Sequence, residues 1–388
     1  SVWRLYPLCF GAVEKRLSVH LEEIMKKILT IVMLCLIPLG ALLLLLAQNV
    51  PGFAEGYAAA VYPVWSRGVN FVTSLLPFSL AEFLVYLAVP AALFFLIRFA
   101  ARMIGGKGRR GKLLKRFSVN VGCLLGVLLF FFTVHCGINY HRDTFAQASG
   151  LPVEPSSEEE LISLCQTLLE DVNRERRLVR EDENGVMKLS FESDRELAET
   201  VRQAYDGLES QYPTLRSGYG PPKAVLASRG MSYLDITGMF FAYTFEANVN
   251  VDVSDYSIPA TMGHELSHLR GYMREDEANF LGYLCCRESS HPDLRYSAAM
   301  LAFTHATNQL YRQDPEAAQE IFDGMEEGVR RDRAYNSAYW ERFEGRLSEV
   351  SRTVNNTYLQ ANSQGDGVQS YGRMVDLLLA DQRQKRSK

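Results

Sequence analysis

The apolar positions of this chain fall into two regimes. Before residue 140 they come in long runs: residues 28–47 read ILTIVMLCLIPLGALLLLLA, residues 80–99 read LAEFLVYLAVPAALFFLIRF, and residues 117–138 read FSVNVGCLLGVLLFFFTVHCGI. About twenty residues at 1.5 Å rise match the ~30 Å hydrocarbon core of a bilayer, so each run predicts a transmembrane helix. The first run follows Met25-Lys26-Lys27, as the apolar core of a signal peptide would. It is longer than the usual ~7–15 residues, and no small-x-small cleavage site follows before Asn49, which favours an uncleaved span. Residues 1–24 are polar and unpatterned and are expected to be an unstructured extension, with residues 25–140 forming a three-span membrane domain.

After Tyr140 the pattern becomes that of a water-soluble domain, taken here as residues 141–388. Pro152 and Pro155 lead to Ser157, an N-cap followed by Glu158, Glu159 and Glu160, which predicts a helix to about Arg180. Leu197, Val201, Ala204 and Leu208 recur at helical spacing over residues 193–211. Between Pro222 and Val253 the stretches AVLAS, GMFFAYTF and ANVNVDV are β-branched and aromatic, broken by Gly230 and Gly238, and read as a small antiparallel sheet. From Pro259 the pattern is helical almost to the end, with breaks at Gly271, at residues 289–292, at Asp314-Pro315 and between Gly365 and Gly367.

Charge adds a topology. The linker after the second run carries Arg98, Arg102, Lys107, Arg109, Arg110, Lys112, Lys115 and Arg116 without an acid, whereas residues 48–79 contain only Arg67 as a base. By the positive-inside rule the N-terminus and the basic linker are cytoplasmic, while the 48–79 loop and everything after about Asn139 lie outside, a multi-pass cell-membrane protein with the lipid bilayer as partner. A formal net charge of -4 gives no reason to propose a nucleic acid, and topology already explains the basic linker. Seven cysteines with no CxxC spacing predict no structural disulfide.

One motif carries chemistry. His264-Glu265-Leu266-Ser267-His268 is HExxH, in which histidines four residues apart share a helix face and can bind one metal ion, while Glu265 can polarise a water on it. By chance the pattern arises in about one chain in a hundred of this length. Here its flanks are small or apolar apart from Arg270, as a buried site requires, and acids follow at once. A catalytic zinc site needs a third protein ligand and one open position. Glu275, Asp276 and Glu277 are the candidates. On an unbroken helix Glu275 would lie roughly 10 Å along the axis from His268, out of reach. A left-handed Gly271 would let the chain reverse and start a second helix near Arg274. Glu275 is favoured, because Asn279 four residues on faces the same way and would hydrogen-bond a ligating histidine; Glu277 is the reserve. The plain alternative is that all three acids only favour a helix N-terminus.

HELSH followed by Glu275-Asp276-Glu277-Ala278-Asn279-Phe280 resembles the HExxH plus ExxA(N/D) pattern of gluzincin metallopeptidases, in which the first Glu of the second motif is the third zinc ligand. More closely, the chain resembles an uncharacterised bacterial family of membrane zinc-metallopeptidase-like proteins, a domain of unknown function with three N-terminal spans. Residues 139–142, 245–250, 264–271, 275–280, Tyr296-Ser297, 356–362, Gly367-Val368 and 370–372 carry the likeness. The resemblance implies an α-helical membrane anchor and a mainly α, α+β zincin-like domain outside the cytoplasm. It implies zinc on His264, His268 and Glu275, Glu265 as general base and then proton donor, and a peptide or protein substrate. The better-known gluzincins separate the motifs by more than the six residues found here. For the oxyanion stabiliser that such chemistry needs, Tyr371 and His291 are candidates. His305 reads as a core histidine, and His135 and His141 as interfacial. The strand ahead of the motif could offer an edge to an extended peptide. The competing function is a non-enzymatic membrane sensor or scaffold with a metal-stabilised domain. Glu265 argues against it, because a structural site needs no carboxylate beside its first ligand. Oligomeric state and substrate specificity are open at this level.

Overall fold

The computed structural model describes residues 6–106, 108–362 and 373–386, with side chains described from Ser18 onward. The chain is mostly helical. In order the helices are α1 (Tyr6–Asn49), α2 (Phe53–Ala60), α3 (Tyr62–Ser74), α4 (Leu80–Gly105), α5 (Arg110–His135), α6 (Phe145–Ser149), α7 (Glu158–Arg176), α8 (Asp194–Gly207), α9 (Ser228–Tyr233), α10 (Ile258–Leu269), α11 (Glu275–Arg287), α12 (Pro292–Gln313), α13 (Pro315–Asp323), α14 (Glu327–Glu341), α15 (Arg346–Ala361) and α16 (Arg373–Arg386). The strands are β1 (Arg180–Glu181), β2 (Met187–Lys188), β3 (Lys223–Ala224), β4 (Gly238–Phe241) and β5 (Glu246–Val249).

Two compact units emerge. The first joins residues 1–50 to 87–134. It contains most of three helices long and apolar enough to cross a membrane, over Ser18–Asn49, Leu80–Gly105 and Arg110–His135. Their outward side chains, among them Ile31, Leu93, Phe95 and Leu124, are exposed, as a lipid solvent would require. Contrary to the unstructured extension expected for residues 1–24, α1 begins at Tyr6. Between Ala12 and Lys27 there is no Gly or Pro, and Glu, Lys, Leu and Met are good helix formers, so nothing stops the apolar helix from continuing toward the N-terminus.

The second unit is residues 51–86 and 135–388. The segment between the first two apolar helices therefore groups with the C-terminal half rather than with the spans. The core of the second unit is a helical layer of α7, α8, α10, α11, α12 and α16, filled by Leu266, Phe280, Leu294 and Phe303. Ser157 caps α7 reciprocally with Glu160, and Ser193 caps α8. On one side α10 rests against a three-stranded sheet of order β3-β5-β4.

That sheet is mixed, a correction to the antiparallel sheet read from the sequence: β4 and β5 form an antiparallel hairpin, but β3 pairs parallel to β5. The residues that read as a strand after Ala224 instead enter α9 at Ser228, and this helix carries the chain across so that β3 and β5 run the same way. Central β5 is buried throughout, and β4 is an edge. Glu246 on β5 accepts hydrogen bonds from the Leu80 and Ala81 backbone N–H groups and from Lys223 Nζ, so its buried charge is paired.

Candidate metal centre

Helix α10 ends in a Schellman turn. Gly271 sits at φ +86, its N–H donates to the His268 carbonyl, and the Tyr272 N–H donates to the Ser267 carbonyl. A side chain at this φ would be strained, so glycine makes the reversal cheap. The chain turns back into α11, and the two helices cross where glycine meets glycine: a Cβ on Gly282 would lie 2.7 Å from the Ala260 carbonyl oxygen and 2.9 Å from the His264 nitrogen. That close crossing sets the first residue of α11, Glu275, against the histidines of α10.

His264 Nε2 is 3.0 Å from His268 Nε2 and 3.3 Å from Glu275 Oε2, and His268 Nε2 is 3.6 Å from Glu275 Oε1. Among the described residues, this trio is the one set of three or more His, Cys, Asp or Glu donors placed to hold a metal ion, with all ligand atoms within 4.8 Å of one another. The far ring nitrogens are already engaged. His268 Nδ1 lies 2.8 Å from the Tyr272 carbonyl and His264 Nδ1 lies 2.8 Å from Asn279 Oδ1. A carbonyl can only accept, so the Tyr272 contact puts the His268 proton on Nδ1 and aims the Nε2 lone pair at the centre. His264 Nε2 holds a proton shared with Glu275 and His268, and a cation taking the place of that proton would meet two imidazole nitrogens and a carboxylate. That donor set fits a divalent ion that accepts nitrogen and oxygen ligands.

The protonation states follow from burial and proximity. Burial works against charging His264, but the hydrogen bond and charge of Glu275 outweigh it and raise its pKa to about 9. Burial and the neighbouring His264 lower His268 to about 4. Burial pushes Glu275 up, yet the two histidines hold it below its ordinary value. A bound divalent cation would displace the His264 proton, because ligands bind metal in their deprotonated form. Glu265 differs from these. Burial, opposed by His264 and reinforced by Glu275, raises its pKa to about 8, and its Oε2 is buried without a hydrogen-bond partner. At a pKa of about 8 the side chain is mostly the neutral acid at pH 7, and a cation held by the trio would lower it and leave Oε2 able to exchange a proton.

The other acids of the run point elsewhere. Glu277 Oε1 accepts from the Phe145 N–H at 2.7 Å and lies 3.5 Å from Arg274, and Asp276 pairs with Arg373. His291 does not join the trio. It caps α12, accepting from the Asp293 N–H, and stacks on Phe191 at 4.3 Å between ring centroids. As a donor to the reacting centre it is replaced by a local role, because it starts a helix whose first N–H groups need an acceptor. Tyr371 lies outside the described residues. Sequence reasoning misses two tyrosines that do approach the trio. Tyr140 donates to the Tyr358 hydroxyl at 3.0 Å, Cys136 Sγ lies 3.8 Å from that hydroxyl, and both phenols feel the negative charge of Glu275. Burial raises both far enough to stay protonated at neutral pH. No sequence spacing connects residues 140 and 358, so only the fold could bring them together. Behind the cluster, the Tyr62 hydroxyl on α3 donates to the carbonyls of His268 and Leu269.

A family model matches residues 57–379, from within α2 to within α16. The chain belongs to the DUF3810 family. That family is described as a protein of unknown function, so the membership brings no activity with it. No curated protein and no solved structure matches the chain. Within this DUF3810 chain the HExxH helix, the Gly271 turn and the Glu275 to Asn279 block all fall inside the matched region.

Proposed function

We propose that this DUF3810 protein is a membrane-anchored zinc metallopeptidase of zincin-like architecture that cleaves peptide or protein substrates outside the cytoplasm. The observation that carries the reading is the inward convergence of His264 Nε2, His268 Nε2 and Glu275, with each histidine's other nitrogen held by an acceptor. His264, His268 and Glu275 would hold the zinc, and the metal would supply Lewis acidity at a scissile carbonyl and acidify a water. Glu265 takes the proton from the attacking water on its free Oε2 and passes it to the leaving amine. The Tyr358 hydroxyl, which accepts from Tyr140 and feels the charge of Glu275, would hydrogen-bond the oxyanion. Asn279 and the Tyr272 carbonyl orient the imidazoles. The excess of Lys and Arg in residues 98–116 supports a cytoplasmic N-terminus and an extracytoplasmic second unit.

The non-enzymatic scaffold is distinguished by Glu265. The test is elemental analysis of the purified full chain together with His264→Ala and Glu265→Gln, and hydrolysis of a peptide library. The reading expects about one zinc per chain, from the one three-donor cluster among the described residues, lost in His264→Ala and kept in Glu265→Gln, with cleavage lost in both. Zinc bound without any cleavage would favour the scaffold, and a folded wild-type chain that takes up no zinc would sink both.

A further inference from the structure

Helix α3 is amphipathic in the opposite sense to a helix on a water-soluble surface. Its outward positions are Val61 just before it, then Val64, Trp65, Gly68, Phe71, Val72 and, just after it, Leu75; all are exposed, and none is polar. They recur at i, i+3, i+4, i+7, i+10, i+11 and i+14, one continuous face. Val64, Phe71 and Leu75 are 72%, 67% and 69% exposed. Its inward face holds the hydrogen-bonding residues. Ser66 bonds the Tyr219 hydroxyl, Asn70 Nδ2 donates to the Phe245 carbonyl while its Oδ1 accepts from the Gly220 N–H, and Thr73 donates to the Thr244 carbonyl. The one charge on the helix, Arg67, turns inward to the Ser217 carbonyl.

We propose that α3 lies in the plane of the membrane, its apolar face immersed in lipid at the bilayer interface and its polar face gripping the metal-binding half of the protein. Three observations single out lipid as the occupant. The chain enters this segment from one helix long and apolar enough to cross a bilayer and leaves it into another, so both ends of the segment return to the interface. The face carries no charge or hydrogen-bonding group that a soluble partner could read, apart from the indole N–H of Trp65, a residue type favoured at the lipid headgroup level. And an uninterrupted apolar face of this length costs free energy in water, whereas an interfacial helix recovers it by burying that face at the headgroup and acyl boundary. This inference goes beyond the peptidase reading and stands without it.

The test uses the full chain in lipid nanodiscs with Trp3→Phe and Trp340→Phe, so that the emission comes from Trp65 alone. Brominated phospholipid should extinguish most of that emission, the maximum should be blue-shifted, and aqueous acrylamide should have little effect. A red-shifted Trp65 quenched by acrylamide and untouched by brominated lipid would overturn the proposal. Protection from both quenchers would overturn it too, because it would mean a protein cover. If the double variant does not fold, a nitroxide on Phe71→Cys, in a chain with Cys9→Ser and with the exposed Cys35 replaced by Ser, separates the same outcomes by its relative exposure to oxygen and to a water-soluble nickel complex.

Discussion

Helix α3 and the α10–α11 hairpin both bury polar side chains, and they differ in which atoms go without a partner. On the inward face of α3 the hydroxyls of Tyr62, Ser66 and Thr73 and the amide of Asn70 each meet a partner in the fold. In the hairpin, Glu265 keeps one buried oxygen without a partner, Asp276 another, and the three possible ligand atoms of His264, His268 and Glu275 lie within 4.8 Å of one another. A buried group left unpaired costs about 1–3 kcal/mol. Arg67 Nε on α3 is unpartnered too, so what sets the hairpin apart is the grouping: an open carboxylate oxygen of Glu265 on the helix whose histidines, with Glu275, form a three-donor cluster. By this measure the inward face of α3 reads as scaffolding, and the hairpin holds the candidate site.

Substitutions can break that comparison. The largest effect belongs to Glu265→Gln, which should slow cleavage of any peptide that the wild type hydrolyses by roughly 10²–10⁴-fold while leaving zinc content unchanged; kinetics beside elemental analysis decide it. Unaltered turnover would remove Glu265 from the chemistry. Gly282→Ala would drive a methyl group into the backbone of α10, so the hairpin must open. A loss of about 1–3 kcal/mol in thermal or denaturant unfolding is expected, with weakened zinc binding in the same sample. In α3, Asn70→Ala strands the Phe245 carbonyl and the Gly220 N–H, also about 1–3 kcal/mol, but with zinc affinity retained. Asn279→Ala should do the reverse, leaving unfolding nearly unchanged and weakening zinc about 10–100-fold in a chelator competition. The smallest change, about 1 kcal/mol of stability, is expected for Tyr62→Phe, since it removes only one hydroxyl from the end of α10. If Asn70→Ala and Asn279→Ala gave the same signature, the division into scaffold and site would fail.

Much of the hairpin is legible in the sequence, because its information is local. HExxH fixes a helix face, Gly271 fixes the reversal, and Glu275 with Asn279 falls one helical turn apart on the next element. The three apolar runs are equally plain, since lipid demands the same residue types at nearly every position. Helix α3 is harder to read and passes for part of a loop outside the membrane. Its apolar residues do have helical spacing, but Pro63, Gly68 and Pro77 punctuate the segment, and its core-facing side is the polar one. The Tyr140–Tyr358 pair is invisible in the sequence because the two residues meet only across the assembled fold. The parallel pairing of β3 with β5 escapes for a related reason: two residues of strand carry no sign of which neighbour they will choose.

The Schellman turn at Gly271 also bears on how the site comes into being. All three candidate metal ligands lie on two consecutive helices joined by a tight reversal, so closing the loop between them costs little chain entropy. In kinetic terms the site has low contact order: its geometry can form on the timescale of helix pairing, ahead of the slower β3–β5 pairing across α9. A cation captured at that stage would bind the folded hairpin and not the open chain, and by mass action would draw the folding equilibrium forward.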